Sequence, residues 1–164
     1  TQLNKGAKIL LHKVKKPQNY GVAKLSKNNK ISKLIEKPKK FISDLAVTGL
    51  YFFDNRVVEF SKKLKPSKRG EIEIIDLINK YRKLGELKGD LIGRGAAWLD
   101  TGTIEDFYKT SAFVSAIENR QGLKIACIEE IAYKNNWINK KKIKESIKFY
   151  GNCEYSSYLK NLLN

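Results

Sequence analysis

The chain has 164 residues, 41% hydrophobic and 30% charged. It is long enough to enclose a core and too apolar for a disordered tail. The formal net charge is +16, from 33 Lys and Arg against 17 Asp and Glu, so anionic partners must be considered. No run of 18 apolar residues occurs, which argues against a membrane-spanning helix.

The start, "TQLNKGAKILLHKVKK", lacks the long apolar region of a secretory leader. Cys127 and Cys153 have no CxxC spacing and His12 is the single histidine, so a zinc site is not expected. Two free thiols in a reducing cytoplasm are the simplest reading. Only five of the basic residues are Arg, and Lys is a solvated point charge that lacks the guanidinium fork. The densest cluster, residues 139–149, places Ile143 and Ile147 on one side, as a solvated helix face would. Nucleic acid is therefore not the expected partner, although a basic module binding anions or nucleic acid stands as the alternative.

Residues 7–14, "AKILLHKV", read as a strand. The segment "YGVAKLSKNNKISKLIEKP" alternates on either side of an Asn-rich turn, as a hairpin does, and Pro38 ends its second arm. "LAVTGLYFF" (45–53) is almost continuously apolar, which predicts a strand buried on both faces. Asp54 is placed to cap a helix over 55–64. A loop over 65–71 leads to a helix over 71–85, with Gly85 as its left-handed stop. "ELKGDLIGRG" reads as a further strand. Thr103 and Asp106 resemble a capping box for a long helix whose apolar face begins with Ile104, Phe107 and Tyr108 and which Gly122 closes. Short helices follow to the end. The fold class is α/β, with a helical tail from about residue 103.

Four places could carry chemistry. Asp100, in "GRGAAWLDTGT", is either an acid serving a helix entrance or one ligand of a Mg²⁺ shared with phosphate oxygens. Glu36-Lys37 is either a charged strand end or an acceptor for polyol hydroxyls beside a phosphate-neutralising ammonium. The two lie on opposite faces if the strand runs through both. Gly21 marks a bulge or a close approach of backbone to ligand. Arg69 is either simply exposed or a mobile phosphate contact.

Taken in order, "YGVAKL", "LIEKP", "AVTGLYFFDNRVVEFSKKLKPSKRGEIEIIDLINKYRKLGEL", "GRGAAWLDTGT" and "ENRQGLKIACIEEIAY" resemble the second half of bacterial glucose-1-phosphate thymidylyltransferases. The resemblance runs from about residue 17 to 160. It implies a nucleotide-diphospho-sugar transferase fold, Rossmann-like with a mixed sheet, and a reaction of dTTP with glucose 1-phosphate giving dTDP-glucose and pyrophosphate. It further implies that Gly21, Glu36, Val47 and Tyr51 contact the sugar. Lys37 and Arg69 would hold phosphates, and Asp100 would hold Mg²⁺ with Trp98 beside it. Arg94, Glu130, Ile131 and Lys134 match a regulatory nucleotide site, with Lys134 where the family usually has arginine. Residues 1–102 would be the sugar-phosphate half of the catalytic domain, and 103–164 a helical region for regulation or oligomerisation. The implied setting is a cytoplasmic homo-oligomer feeding rhamnose-containing surface polysaccharide. The family's glycine-rich triphosphate cradle and "GDN" metal aspartate are not found in these 164 residues. The expectation is thus a C-terminal portion, inactive alone and completed by an N-terminal half.

Overall fold

The computed structural model describes residues 4–26 and 30–163. Two compact units divide at residues 98 and 99. In the first, the strands are β1 (Ala7–Lys13), β2 (Gly21–Leu25), β3 (Ile31–Glu36), β4 (Leu45–Phe53) and β5 (Leu87–Leu91), with helices α1 (Val57–Ser61) and α2 (Ile74–Lys83). The strands form one mixed sheet in the order β3-β2-β4-β1-β5. β5 runs parallel to β1, and the other neighbours are antiparallel. The arms of the expected hairpin pair from Gly21↔Glu36 to Leu25↔Ile31, while its turn at 27–29 lies outside the described residues.

Alternation along the strands sends Ile9, Leu11, Ala23, Leu34 and Val47 into one core with Ile75 and Ile78 of α2. Burying side chains of this size is the main stabilising contribution, about 1.5–3 kcal/mol each. α2 is also tied to the edge strand, because Asn79 Nδ2 donates to the Leu34 carbonyl at 3.2 Å.

Three expectations need correction in this unit. β4 is buried through Leu45, Ala46 and Val47, but Leu50 and Phe52 are exposed. Its apolar composition comes from two different faces, and only the Tyr51 and Phe53 side packs against the core. The helix after Asp54 is only Val57–Ser61, and no side chain caps it. Asp54 instead accepts hydrogen bonds from the Gly6 N–H (2.6 Å), the Arg56 guanidinium and N–H, and Tyr81 Oη (2.9 Å). The helix predicted over 71–85 begins at Ile74, leaving Glu71 and Ile72 in the preceding loop, and Gly85 makes the expected left-handed stop at φ +72°.

The second unit contains α3 (Ile104–Gln121), α4 (Ile128–Lys134), α5 (Lys140–Tyr150) and α6 (Glu154–Asn161). Thr103 caps α3 by accepting from the Asp106 N–H at 3.0 Å, and Gly122 ends it at φ +67°. Cys127, Ile143 and Leu159 form the small core of this unit. Ile143 is thus buried on an otherwise lysine-rich α5. Both cysteines are free thiols, Cys127 buried and Cys153 exposed. The apolar face expected of α3 is not buried: Ile104, Phe107 and Tyr108 are all exposed, and no residue of the helix is enclosed. Among the described residues no helix is long and apolar enough to cross a membrane.

Candidate functional site

The carboxylate of Glu36 is delivered by the last residue of β3, directly across from Gly21 of β2. The pairing brings Glu36 onto the sheet face that carries α2. A Cβ at Gly21 would lie 2.7 Å from Ile75 Cδ1 and 3.0 Å from Glu36 Oε2. Glycine is therefore what allows the first turn of α2 to close over β2 beside the carboxylate.

β3 ends at Glu36, so strand alternation does not extend to Lys37. Lys37 adopts φ +40° and donates its N–H to the Tyr20 carbonyl at 3.0 Å. A left-handed lysine immediately before Pro38 is unfavourable twice over, by about 1–3 kcal/mol. The sequence signal for this turn, Lys-Pro, points the other way, so the bend was not legible. Its effect is to redirect the lysine side chain away from the path a continuing strand would give it.

Arg69 stands on the turn that leads into α2. The turn is closed by Ser67 N–H to the Glu71 carbonyl at 2.8 Å and by Gly70 at φ +78°. The guanidinium meets three carboxylates: Glu71 at 2.7 Å, Glu73 at 3.5 Å and Glu36 at 3.8 Å. Ser67 Oγ accepts from the Arg69 N–H and donates to Glu73 Oε1 at 3.0 Å. Burial and the neighbouring charge of Glu73 push the Glu36 carboxyl above its ordinary value, against the pull of Lys37 and Arg69. Burial, with the Glu36 charge, likewise raises the Tyr51 phenol. Gly21, Glu36, Tyr51 and Arg69 are thus neighbours in one electrostatic setting. Val47 contributes its side chain to the core and is 7% exposed.

Trp98 donates Nε1–H to the Thr48 carbonyl at 3.0 Å and meets Tyr20 edge-on at 5.1 Å. His12 lies 6.1 Å from the same indole, and its buried Nδ1 has no hydrogen-bond partner among the described residues. In the sequence, His12 bears only on the case against zinc. Nothing in its strand context marks it as part of an aromatic group.

Asp100 is exposed on the turn before α3, with its carboxylate about a side chain's reach from Gly102 (3.2 Å to where a Cβ would stand). Among the described residues no three His, Cys, Asp or Glu side chains gather to hold a metal. Asp100 fits a metal as a single ligand, which suffices for Mg²⁺ only when substrate oxygens and waters complete the shell. Arg94 lies after β5 in the first unit, whereas Glu130, Ile131 and Lys134 lie on α4 in the second. Glu130 is buried and accepts from Lys134 Nζ at 2.5 Å and from the Tyr158 hydroxyl. The Lys134 hydrogen bond is the main reason its carboxyl is held below the ordinary range.

The family model described as nucleotidyl transferase matches residues 1–117. The chain belongs to that family. A glucose-1-phosphate thymidylyltransferase of Neisseria meningitidis is 46% identical over 158 residues, covering 96% of this chain and 55% of the relative. One from Mycolicibacterium smegmatis is 40% identical, covering 97% and 55%. The chain therefore spans about half the length of the curated relatives it matches. Among solved structures, a Bacillus anthracis protein assigned as a glucose-1-phosphate thymidylyltransferase, crystallised with sucrose, aligns with TM-score 0.60 and 42% identity. That alignment covers 67% of this chain and 44% of the other. A UDP-glucose pyrophosphorylase in complex with UDP-glucose aligns with TM-score 0.58 at 23% identity, over 65% and 43%, which bears on the fold alone. The mixed α/β nucleotidyltransferase fold expected from the sequence is the fold observed.

Proposed function

We propose that this chain carries the sugar-phosphate side of a glucose-1-phosphate thymidylyltransferase, the enzyme that forms dTDP-glucose and pyrophosphate from dTTP and glucose 1-phosphate. The observation that carries the reading is the grouping of Glu36, Arg69 and Tyr51 around Gly21, in a chain 46% identical to a relative of that name. A carboxylate at the end of a strand accepts hydrogen bonds from two sugar hydroxyls, and the neighbouring Tyr51 ring offers them an apolar wall with a hydroxyl tip.

Arg69 is held by carboxylates at 2.7 to 3.8 Å and exchanges them for the more highly charged phosphate, which a guanidinium grips with two parallel bonds. Lys37 adds a second positive charge. Val47 bounds the same region from the core. Together these residues fix the sugar phosphate so that one oxygen faces the α-phosphorus of the nucleotide, and orientation of this kind lowers the barrier without covalent help. Asp100 would be one ligand of Mg²⁺, which when bound neutralises phosphate charge. The triphosphate cradle is assigned to a segment beyond these 164 residues, so the chain is inactive alone. The helical unit, with Glu130, Ile131 and Lys134, is assigned to regulation or oligomer contacts, as is Arg94 of the first unit. A cytoplasmic place in rhamnose polysaccharide synthesis goes with the reading.

The test has two parts. Calorimetry with glucose 1-phosphate on the purified chain is expected to show binding that Glu36→Gln weakens about tenfold or more, the loss of one charge-assisted hydrogen bond. A pyrophosphate-release assay with dTTP, glucose 1-phosphate and Mg²⁺ is expected to show turnover only when the N-terminal half of a relative is added, and to lose it in Asp100→Asn. Absence of sugar-phosphate binding, or turnover indifferent to Asp100, would sink the reading.

A further inference from the structure

Along β3 and α2 lies a second, strongly charged place that the proposed reaction does not use. A cavity of about 530 Å³ opens between the β3 edge, α2 and the stretch after α1. Lys33, Lys63, Lys65, Lys80, Arg82 and Lys83 line it, with Asp76 as the single acid and Leu34, Ile35 and Leu64 among the apolar lining.

Several lysines elsewhere in the chain are neutralised by acids, and the cations of this cavity are not. Lys5, Lys8, Lys109, Lys124, Lys134 and Lys142 all pair with carboxylates. Even Lys62, next in sequence to Lys63, pairs with Glu59 at 3.1 Å. Among the described residues, none of the six cavity cations is within ion-pair distance of an acid. The two whose groups are fixed rest on neutral acceptors instead. Lys80 Nζ donates to the Phe60 carbonyl at 3.0 Å. Arg82 donates Nε–H to Asn79 Oδ1 at 2.7 Å and a terminal N–H to the Ser32 carbonyl at 3.1 Å. A neutral acceptor orients a cation without cancelling its charge. Six like charges around one concavity repel one another, and an anion that enters relieves the repulsion and gains the focused field.

We infer that this cavity binds a compact, multiply charged phosphate compound of the oligophosphate class. The size is that of a small-molecule site rather than a polymer track. No aromatic ring lines it on which a base could stack, and its one arginine is already engaged, so neither stacking nor forked base readout is offered. Lysine-dominated lining suits phosphate oxygens approached as point charges. The inference does not depend on the sugar-phosphate reading of Glu36 and Arg69.

The probe is inorganic tripolyphosphate, titrated into the full chain by calorimetry at low and at physiological salt. Lys63→Gln/Lys65→Gln is compared with Lys141→Gln/Lys144→Gln, which removes the same charge from exposed positions of α5. The cavity pair is expected to weaken binding about tenfold while the α5 pair changes it less than about twofold, as screened distant charges should. Arg69→Gln is expected to leave tripolyphosphate binding in place. Equal losses in both lysine pairs would reduce the effect to net charge and overturn the inference. So would loss in Arg69→Gln, which would place the anion in the sugar-phosphate site. Tighter binding of a single-stranded oligonucleotide, abolished by the same cavity pair, would replace it with a nucleic-acid surface.

Discussion

At the scale of single residues, the most informative position is Lys37. Its φ of +40° ahead of Pro38 is a conformation that lysine resists and glycine accepts. Lys37→Gly is therefore expected to leave stability unchanged or raise it by about 1 kcal/mol, since relief of strain outweighs the added freedom of the unfolded chain. The same change removes the ammonium and should weaken glucose 1-phosphate binding. Denaturant melts and calorimetry on one sample check both halves, and a variant that lost stability would show that the bend is not strained. The residues Glu36, Lys37, Arg69 and Asp100 were all visible in the sequence as isolated charges at turns. The meeting of Arg69 with Glu36 was not, because what joins them is a salt bridge between a loop and a strand more than 30 residues apart.

At the scale of elements, the seat of α2 on β2 sets the shape of the candidate site. A methyl group at Gly21 would stand 2.7 Å from Ile75 Cδ1, too close for an ordinary contact. Gly21→Ala is expected to cost about 1–3 kcal/mol by overpacking, and Gly21→Ala/Ile75→Val to recover part of that loss, measured by urea unfolding. Equal stability of the single and double variants would mean that the clash lies with Glu36 rather than with the helix. Period and punctuation made most elements legible: β1, the hairpin arms, α2 with Gly85, and α3 from Thr103 to Gly122. Two failures have physical causes. A run such as Leu45–Phe53 is equally apolar whether both faces are covered or one, and here the side of Leu50 and Phe52 is open. Asp54 looked like a helix cap because capping chemistry is local, whereas its partners Gly6 and Tyr81 lie 48 and 27 residues away.

At the scale of the whole molecule, two small cores share the work, and the first depends on one buried acid. Asp54 is 8% exposed at its side chain. The Arg56 guanidinium above all, then the Gly6 N–H and the Tyr81 hydroxyl, hold its carboxyl well below the usual range despite burial. Burial, with Asp54's own charge and hydrogen bond, pushes the Tyr81 phenol up to about 12. A depressed carboxyl stabilises the fold fully above the unfolded value, about pH 4, and loses that contribution as pH falls through the folded one. Asp54→Asn is therefore expected to cost about 2–4 kcal/mol at pH 7, with the gap to the natural chain narrowing below about pH 4 as protonation removes the same charge. Urea melts between pH 2 and pH 7 check this, and a gap constant across that range would remove the carboxylate from the account. The same junction has a consequence for how the chain is made. Arg56 also bridges Asp54 to Glu86 at 2.5 Å, and the Ala7 N–H donates to the Glu86 carbonyl. A growing chain thus makes Gly6 and Ala7 well before Glu86, and cannot close the start of β1 until residue 86 has emerged. Until then β1 has no β5 beside it, and the interval belongs to chaperones and proteases.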